Sequence, residues 1–153
     1  MENIEQLIKT FSHKINVKVK FHEVDMLGVC NNAVYFNYFE DARIKYLQDL
    51  KNKYSLPDIL ENGSFFIMAH NECDYLQPAL FDEELIIYTK INYIKNSSFG
   101  FKHLIVKQNP VQLIANGAGT LVHINFNTKQ KIELPNKFFK AVLDFEKDIE
   151  LLK

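Results

Sequence analysis

Between residues 14 and 21 apolar and polar side chains alternate one for one: Ile15, Val17, Val19 and Phe21 against Lys14, Asn16, Lys18 and Lys20. A period of two predicts a strand with one wet face, ended by His22-Glu23-Val24-Asp25. Upstream, Ile4, Leu7, Ile8 and Phe11 fall at helical spacing and predict a short amphipathic helix over 2–11 that packs on the surface. Downstream the period lengthens. From Ala33 to about Leu50, one stripe of a helix is formed by Tyr35, Phe39, Ala42, Tyr46 and Leu50. Val34, Phe36 and Tyr38 widen it, so the first turns are expected to be buried nearly all round. Asn37, Asp41 and Lys45 mark the polar stripe, with Asp41 four residues before Lys45 as a helix-supporting pair. Asn31 or Asn32 is the natural N-cap. Ser55, Pro57 and Gly63 make 51–64 a connector with one helical turn around 58–61.

After Gly63 the pattern is that of strands. Residues 65–75, 84–94, 99–108 and 111–126 are rich in branched and aromatic side chains, separated by Gln77-Pro78, Asn96-Ser97-Ser98 and Asn109-Pro110. Short links predict an antiparallel meander. Gly117 and Gly119 suggest a bulge or a close backbone approach. From Pro135, Phe138, Phe139, Val142 and Leu143 predict a closing helix. The order is α+β: one long central helix wrapped by a five-stranded antiparallel sheet, plus short terminal helices. No repeat or linker divides 1–153, so one domain is expected.

Composition narrows the function classes. The chain has 153 residues, 47% hydrophobic and 24% charged, an ordinary globular balance. Thirteen Phe and seven Tyr without Trp point to an aromatic interior or interface. A net charge of −1 offers no electrostatic case for nucleic acid. No apolar run reaches the ~18 residues of a membrane span. The N-terminus lacks the basic-then-apolar order of a secretory signal. Cys30 and Cys73 fit neither a disulfide framework nor a zinc spacing, and read as reduced thiols of a cytoplasmic protein.

The candidate chemistry lies in 21–47. An acid, Asp25, is followed by a turn at Gly28, two asparagines and a helix N-terminus. Asp25-Met-Leu-Gly28-Val-Cys-Asn31-Asn32-Ala-Val-Tyr35, then Phe39-Glu40-Asp-Ala42-Arg43, resembles the hotdog-fold acyl-CoA thioesterases of the 4-hydroxybenzoyl-CoA thioesterase type. Asp74-Tyr75-Leu-Gln-Pro78-Ala79 resembles that family's tyrosine–proline–alanine turn, Gly117-x-Gly119-Thr120 its last strand, and Leu134-Pro135 the entry to its closing helix. Coverage is about 13–145. Two positions depart from the pattern: Val29 stands where many members have His, and Asp82-Glu83 where a Gly-Asp pair is usual.

The resemblance implies a hotdog fold and hydrolysis of an acyl-CoA to free acid and CoA. Asp25 matches the family's catalytic acid, as general base or nucleophile. The helix N-terminus near Asn32 would donate to the oxyanion, with Asn31 beside it. Gly28, Tyr35, Ser97 and Ser98 are the substrate-binding candidates. No metal or cofactor is expected, since coenzyme A is part of the substrate. A homodimer or homotetramer is implied. A carrier-protein thioesterase and a non-catalytic acyl-CoA-binding protein are the alternatives; a hydratase would require a His that the opening stretch lacks apart from His22.

Plainer roles stand beside these. Asp25 suits a turn former. Glu40 and Arg43 suit an i, i+3 ion pair or a subunit contact. His22, His70 and His123 suit solvated or structural positions, and Lys95, Lys102, Lys129 and Lys131 suit solvated surface. Cys30 sits where a helix end could acidify a thiol.

Overall fold

The computed structural model describes residues 3–57 and 64–152. The alternating run forms strand β1 (His13–Lys18), preceded by helix α1 (Ile4–Ile8). The alternation continues to Phe21 but the strand does not. Glu23 accepts the Lys20 N–H at 2.8 Å, and residues Phe21–Glu23 close a 3-10 turn. Phe21 therefore leaves the apolar face and is exposed, edge-on to Phe81.

Helix α2 (Val34–Tyr54) is one turn longer than its stripe predicted. It ends at Ser55, which is left-handed at φ 53 and donates its N–H to the Lys51 carbonyl. The face it buries is Tyr35, Tyr38, Phe39, Ala42, Arg43, Tyr46 and Leu50. Among the described residues Lys45 pairs not with Asp41 but with Asp49, at 3.2 Å, which His13 also holds at 2.8 Å. Glu40 and Arg43 form no ion pair among the described residues: Glu40 is exposed while Arg43 is buried. The helical turn expected around 58–61 lies outside the described residues.

Strands β2 (Ser64–Tyr75), β3 (Glu84–Ile94), β4 (Ser98–Lys107) and β5 (Gln112–Asn125) follow, then α3 (Asn136–Phe145). The spatial order is β1-β3-β4-β5-β2. Only β3, β4 and β5 form the expected meander; β2 pairs with β5 and lies at the far edge. A two-residue strand, β6 (Glu150–Leu151), adds a parallel pairing to β3 that periodicity could not reveal. The sheet curls around α2, which is the hotdog arrangement the resemblance implies.

The inner face carries two adjoining apolar clusters. Val19, Leu85, Ile87, Ile105 and Ile114 pack on the first turns of α2, and Ile91, Ile94, Phe99 and Phe101 pack on its last turns and α3. On the outer face, Leu7, Ile8 and Phe11 cover Tyr88, Leu104 and Val106. Gly117 lets the sheet come close to α2. A Cβ there would stand 2.3 Å from Phe39 Cε2 and 3.0 Å from the Glu72 carbonyl. Gly117→Ala is expected to cost about 1–3 kcal/mol, read as a lower urea midpoint at unchanged slope.

His103 is 1% exposed and stacks on Phe39 with centroids 4.6 Å apart. Burial, and then the Arg43 charge, push its pKa down from 6.5 to about 3. The ring is therefore neutral in the fold, while the unfolded chain charges it below about pH 6.5. Its stabilising share is complete above that pH and is lost as pH falls toward 3. Unfolding free energy should decline by up to about 1.4 kcal/mol per pH unit between pH 6 and 4 from this residue. His103→Phe, which keeps the ring stack, should show a shallower decline in urea titrations at each pH.

Candidate active site

The chain between the 3-10 turn and α2 folds back on itself. Val24 pairs with Cys30, the Gly28 N–H donates to the Asp25 carbonyl at 3.0 Å, and the Asp25 N–H donates to Val29 O at 2.9 Å. Gly28 takes φ +76, a left-handed conformation that side chains rarely adopt. The result is a tight hairpin with Met26 and Leu27 exposed at its tip. The Asp25 carboxylate is exposed, and its Oδ1 accepts the Leu27 N–H at 2.8 Å and the Val29 N–H at 3.3 Å. Asp25 is thus a turn former, and its second oxygen is left outside these bonds.

The segment after Pro78 straps the hairpin to the sheet. Cys30 N–H donates to Ala79 O at 2.7 Å, Phe81 N–H donates to Gly28 O at 3.1 Å, and Val29 bridges to Leu80. This explains the tyrosine–proline–alanine motif: it is the floor on which the acid loop rests. Asn31 acts as the bracket into α2. Its side-chain oxygen accepts the Ala33 N–H at 3.2 Å and its carbonyl accepts the Val34 N–H at 2.9 Å. The N-cap position proper is Ala33, which has no side chain to cap with. Asn32 caps nothing with its side chain; among the described residues its N–H has no protein acceptor.

Asn32 is one of the residues that line a cavity of about 240 Å³, with Val29, Cys30, Tyr35, Tyr75, Leu76, Gln77 and Pro78. The N-terminus of a 21-residue helix meets it, with the positive end of the dipole. Tyr35 is buried, and burial with the nearby Cys30 pushes its phenol up to about 12, so it serves as a neutral wall. The Cys30 thiol is pushed up by burial, with Glu23 and Asp25 adding to the effect against a Tyr38 hydrogen bond. The acidified thiol that the helix end suggested is therefore not what the fold provides.

Residues 19–142 match the profile of the thioesterase-like superfamily. The chain belongs to that superfamily, a family of thioester hydrolases. A thioesterase-like neighbour among solved structures is a thioesterase of Thermus thermophilus, complexed with coenzyme A and Zn. It is 32% identical with a TM-score of 0.75, over 90% of this chain and 96% of that one. The long-chain acyl-CoA thioesterase FadM of Escherichia coli (strain K12) is 24% identical over 118 residues, covering 77% of this chain and 87% of FadM. The uncharacterized protein YsmA of Bacillus subtilis (strain 168) is 35% identical over 99 residues, 62% of this chain; the match spans about 61% of YsmA.

In this thioesterase-like chain Asn32 and Tyr35 share the cavity, and Asp25 and Gly28 form the adjoining hairpin, linked to it through Val29. Val29 gives the cavity an apolar wall. Ser97 and Ser98 lie at the other end of β3, roughly 30 Å of strand path away within one chain. Tyr75, Leu76, Gln77 and Pro78 are wall residues that sequence patterning did not single out; the motif containing them was the available signal. His22 and His70 are exposed, whereas His123 is buried with Nδ1 2.8 Å from the Glu133 carbonyl. A larger concavity of about 640 Å³, at Asn16–Lys18, Glu83–Ile86 and Lys107–Asn109, is crossed by a Lys107–Glu83 ion pair at 3.2 Å. Among the described residues no three His, Cys, Asp or Glu side chains form a metal-binding group, and no helix is long and apolar enough to cross a membrane.

Proposed function

We propose that the protein hydrolyses acyl-CoA thioesters, with Asp25 as general base or nucleophile and the Asn32 N–H as oxyanion donor. The observation that carries this reading is Asn32, ahead of the α2 N-cap, with its N–H unpaired among the described residues, in the wall of a cavity beside the Asp25 hairpin. The acyl group would lie against Tyr35, Val29 and Pro78, and the thioester oxygen would face the helix end. As water or Asp25 adds to the carbonyl, negative charge grows on that oxygen, where a fixed N–H and the helix dipole stabilise it most. Collapse of the adduct breaks the C–S bond and expels the CoA thiolate, which takes up a proton. On the nucleophilic route the resulting Asp25 anhydride is then hydrolysed by water, releasing the acid and regenerating the carboxylate. The coenzyme A in the Thermus relative and the long-chain acyl-CoA of FadM support this substrate class.

The site is completed in this reading by a second copy of the chain. Strand β2 is a 12-residue edge with one side unpaired in the sheet order, and such edges are commonly covered by pairing. Thiol release from a panel of acetyl-, dodecanoyl- and benzoyl-CoA, run beside an acyl-carrier-protein thioester, tests the function. Turnover of at least one CoA thioester is expected, and turnover of the carrier-bound substrate alone would overturn the CoA assignment. Light scattering is expected to give a dimer or tetramer.

A further inference from the structure

Tyr75 is the exposed one of the two aromatic wall residues of the cavity. It is large, it is 42% exposed, and it is the last residue of edge strand β2. Its tip is held by hydrogen bonding: the phenol donates to the Asn32 carbonyl at 3.0 Å and also interacts with the Cys73 thiol. Its ring leans on Tyr35 at 5.3 Å between centroids, tilted by 46°. Tyr35 itself is 2% exposed and braced edge-on by Tyr38, so it cannot yield. Leu76 and Gln77 are tied behind Tyr75 by N–H bonds to the Ile114 carbonyl, at 2.9 and 3.0 Å. The backbone on the C-terminal side is therefore fixed, and of the two tyrosine rings in the wall that of Tyr75 is the exposed one.

The cavity, at about 240 Å³, lies just under the roughly 300–1,000 Å³ range of small-molecule pockets. A short acyl group fits beside the two tyrosine rings, whereas a long chain needs one of them displaced. We propose that Tyr75 sets the size of the acyl group admitted, its ring narrowing the cavity and its hydroxyl latching that ring to Asn32, just ahead of the α2 N-cap. Tyr75 is a specificity residue in this scheme, not a catalytic one. The inference rests on the thioesterase reading above and adds to it the element that grades substrates by length. The latch lies on the peptide that follows the Asn32 N–H, so the ring and the oxyanion donor share one support.

The test compares wild type, Tyr75→Phe and Tyr75→Ala on acetyl-, hexanoyl- and dodecanoyl-CoA, together with calorimetric affinities for the matching S-alkyl-CoA thioethers, which cannot be hydrolysed. Tyr75→Ala is expected to raise the dodecanoyl-to-acetyl ratio of kcat/KM by at least about tenfold, the scale on which pocket size grades apolar groups. Tyr75→Phe keeps the ring and loses the latch, so it should shift the ratio in the same direction by less. A merely structural role would lower all substrates together and leave the ratio still. A ratio unchanged in Tyr75→Ala, for hydrolysis and for thioether affinity, overturns the proposal even if the wild type is an active thioesterase. If the wild type hydrolyses nothing but the thioether affinities shift as stated, the hydrolytic reading falls and the size filter stands. If the wild type neither hydrolyses nor binds, both fall.

Discussion

Asp25→Asn is expected to lower kcat on an accepted acyl-CoA by about 10²- to 10⁴-fold, the usual share of a general base or its nucleophilic equivalent, with melting temperature and oligomeric state unchanged. The substitution separates two roles that the structure superimposes. As a turn former, Asp25 uses Oδ1 to accept the Leu27 and Val29 N–H groups. Asparagine retains that acceptor at the same place, so the hairpin and its strap to Ala79 and Leu80 should persist. What it lacks is a basic, negatively charged oxygen able to take a proton from water or attack a carbonyl. Initial rates by thiol release, beside a melting curve, measure both halves. An Asp25→Asn protein that turns over at the wild-type rate leaves Asp25 a turn residue alone. Asp25→Ala is the complementary control, since it removes the turn acceptor as well and should loosen the loop.

The largest stability effect should come from a residue far from the site. Glu146, at the C-cap of α3, is buried to 5% exposure, and a single oxygen, Oε1, accepts three hydrogen bonds. They come from Ser12 Oγ at 2.5 Å, Tyr46 Oη at 2.5 Å and the Ile91 N–H at 3.1 Å. One carboxylate thus joins the chain before β1, the middle of α2, strand β3 and the end of α3. Burial, and then the charge of Glu146, push the Tyr46 phenol well above its ordinary range, so it remains a donor. Glu146→Ala leaves two buried donors, the Tyr46 hydroxyl and the Ile91 N–H, without an acceptor, while the exposed Ser12 keeps the Thr89 carbonyl at 3.4 Å. The substitution is expected to cost about 2–5 kcal/mol, since each orphaned group carries a desolvation penalty. For a domain of this size that corresponds to a melting temperature lower by roughly 10 °C. Glu146→Gln keeps an acceptor oxygen but adds an amide with donors of its own, and should fall between. Equal melting temperatures for wild type and Glu146→Ala would show that the hub contributes nothing.

How legible the fold was depends on the range of the interaction that decides each element. The α2 stripe follows from a 3.6-residue period acting within the chain, and the structure buries Tyr35, Phe39, Ala42, Tyr46 and Leu50 as that period requires. The turn at Gly28 and the bracket at Asn31 are likewise local chemistry. Phe21 misled because alternation reports which side a residue would face if the strand continued. Whether it continues was decided by Glu23 capping Lys20. The position of β2 beside β5 has no signature in either strand, since any two apolar strands can pair and only the packing around α2 selects the partner.

The candidate site divides along the same line. By itself the sequence determined that an acid, a turn and a helix end stand within eight residues, since such spacing survives any arrangement of the rest. Only the tertiary structure decided what faces them. It placed Tyr75 and Pro78, forty or more residues downstream, against Asn32 and Tyr35. It also buried Cys30, turning a thiol that a helix end could acidify into one held neutral. Desolvation and cavity walls are made by side chains distant in sequence, so they exist only once the sheet has closed on the helix.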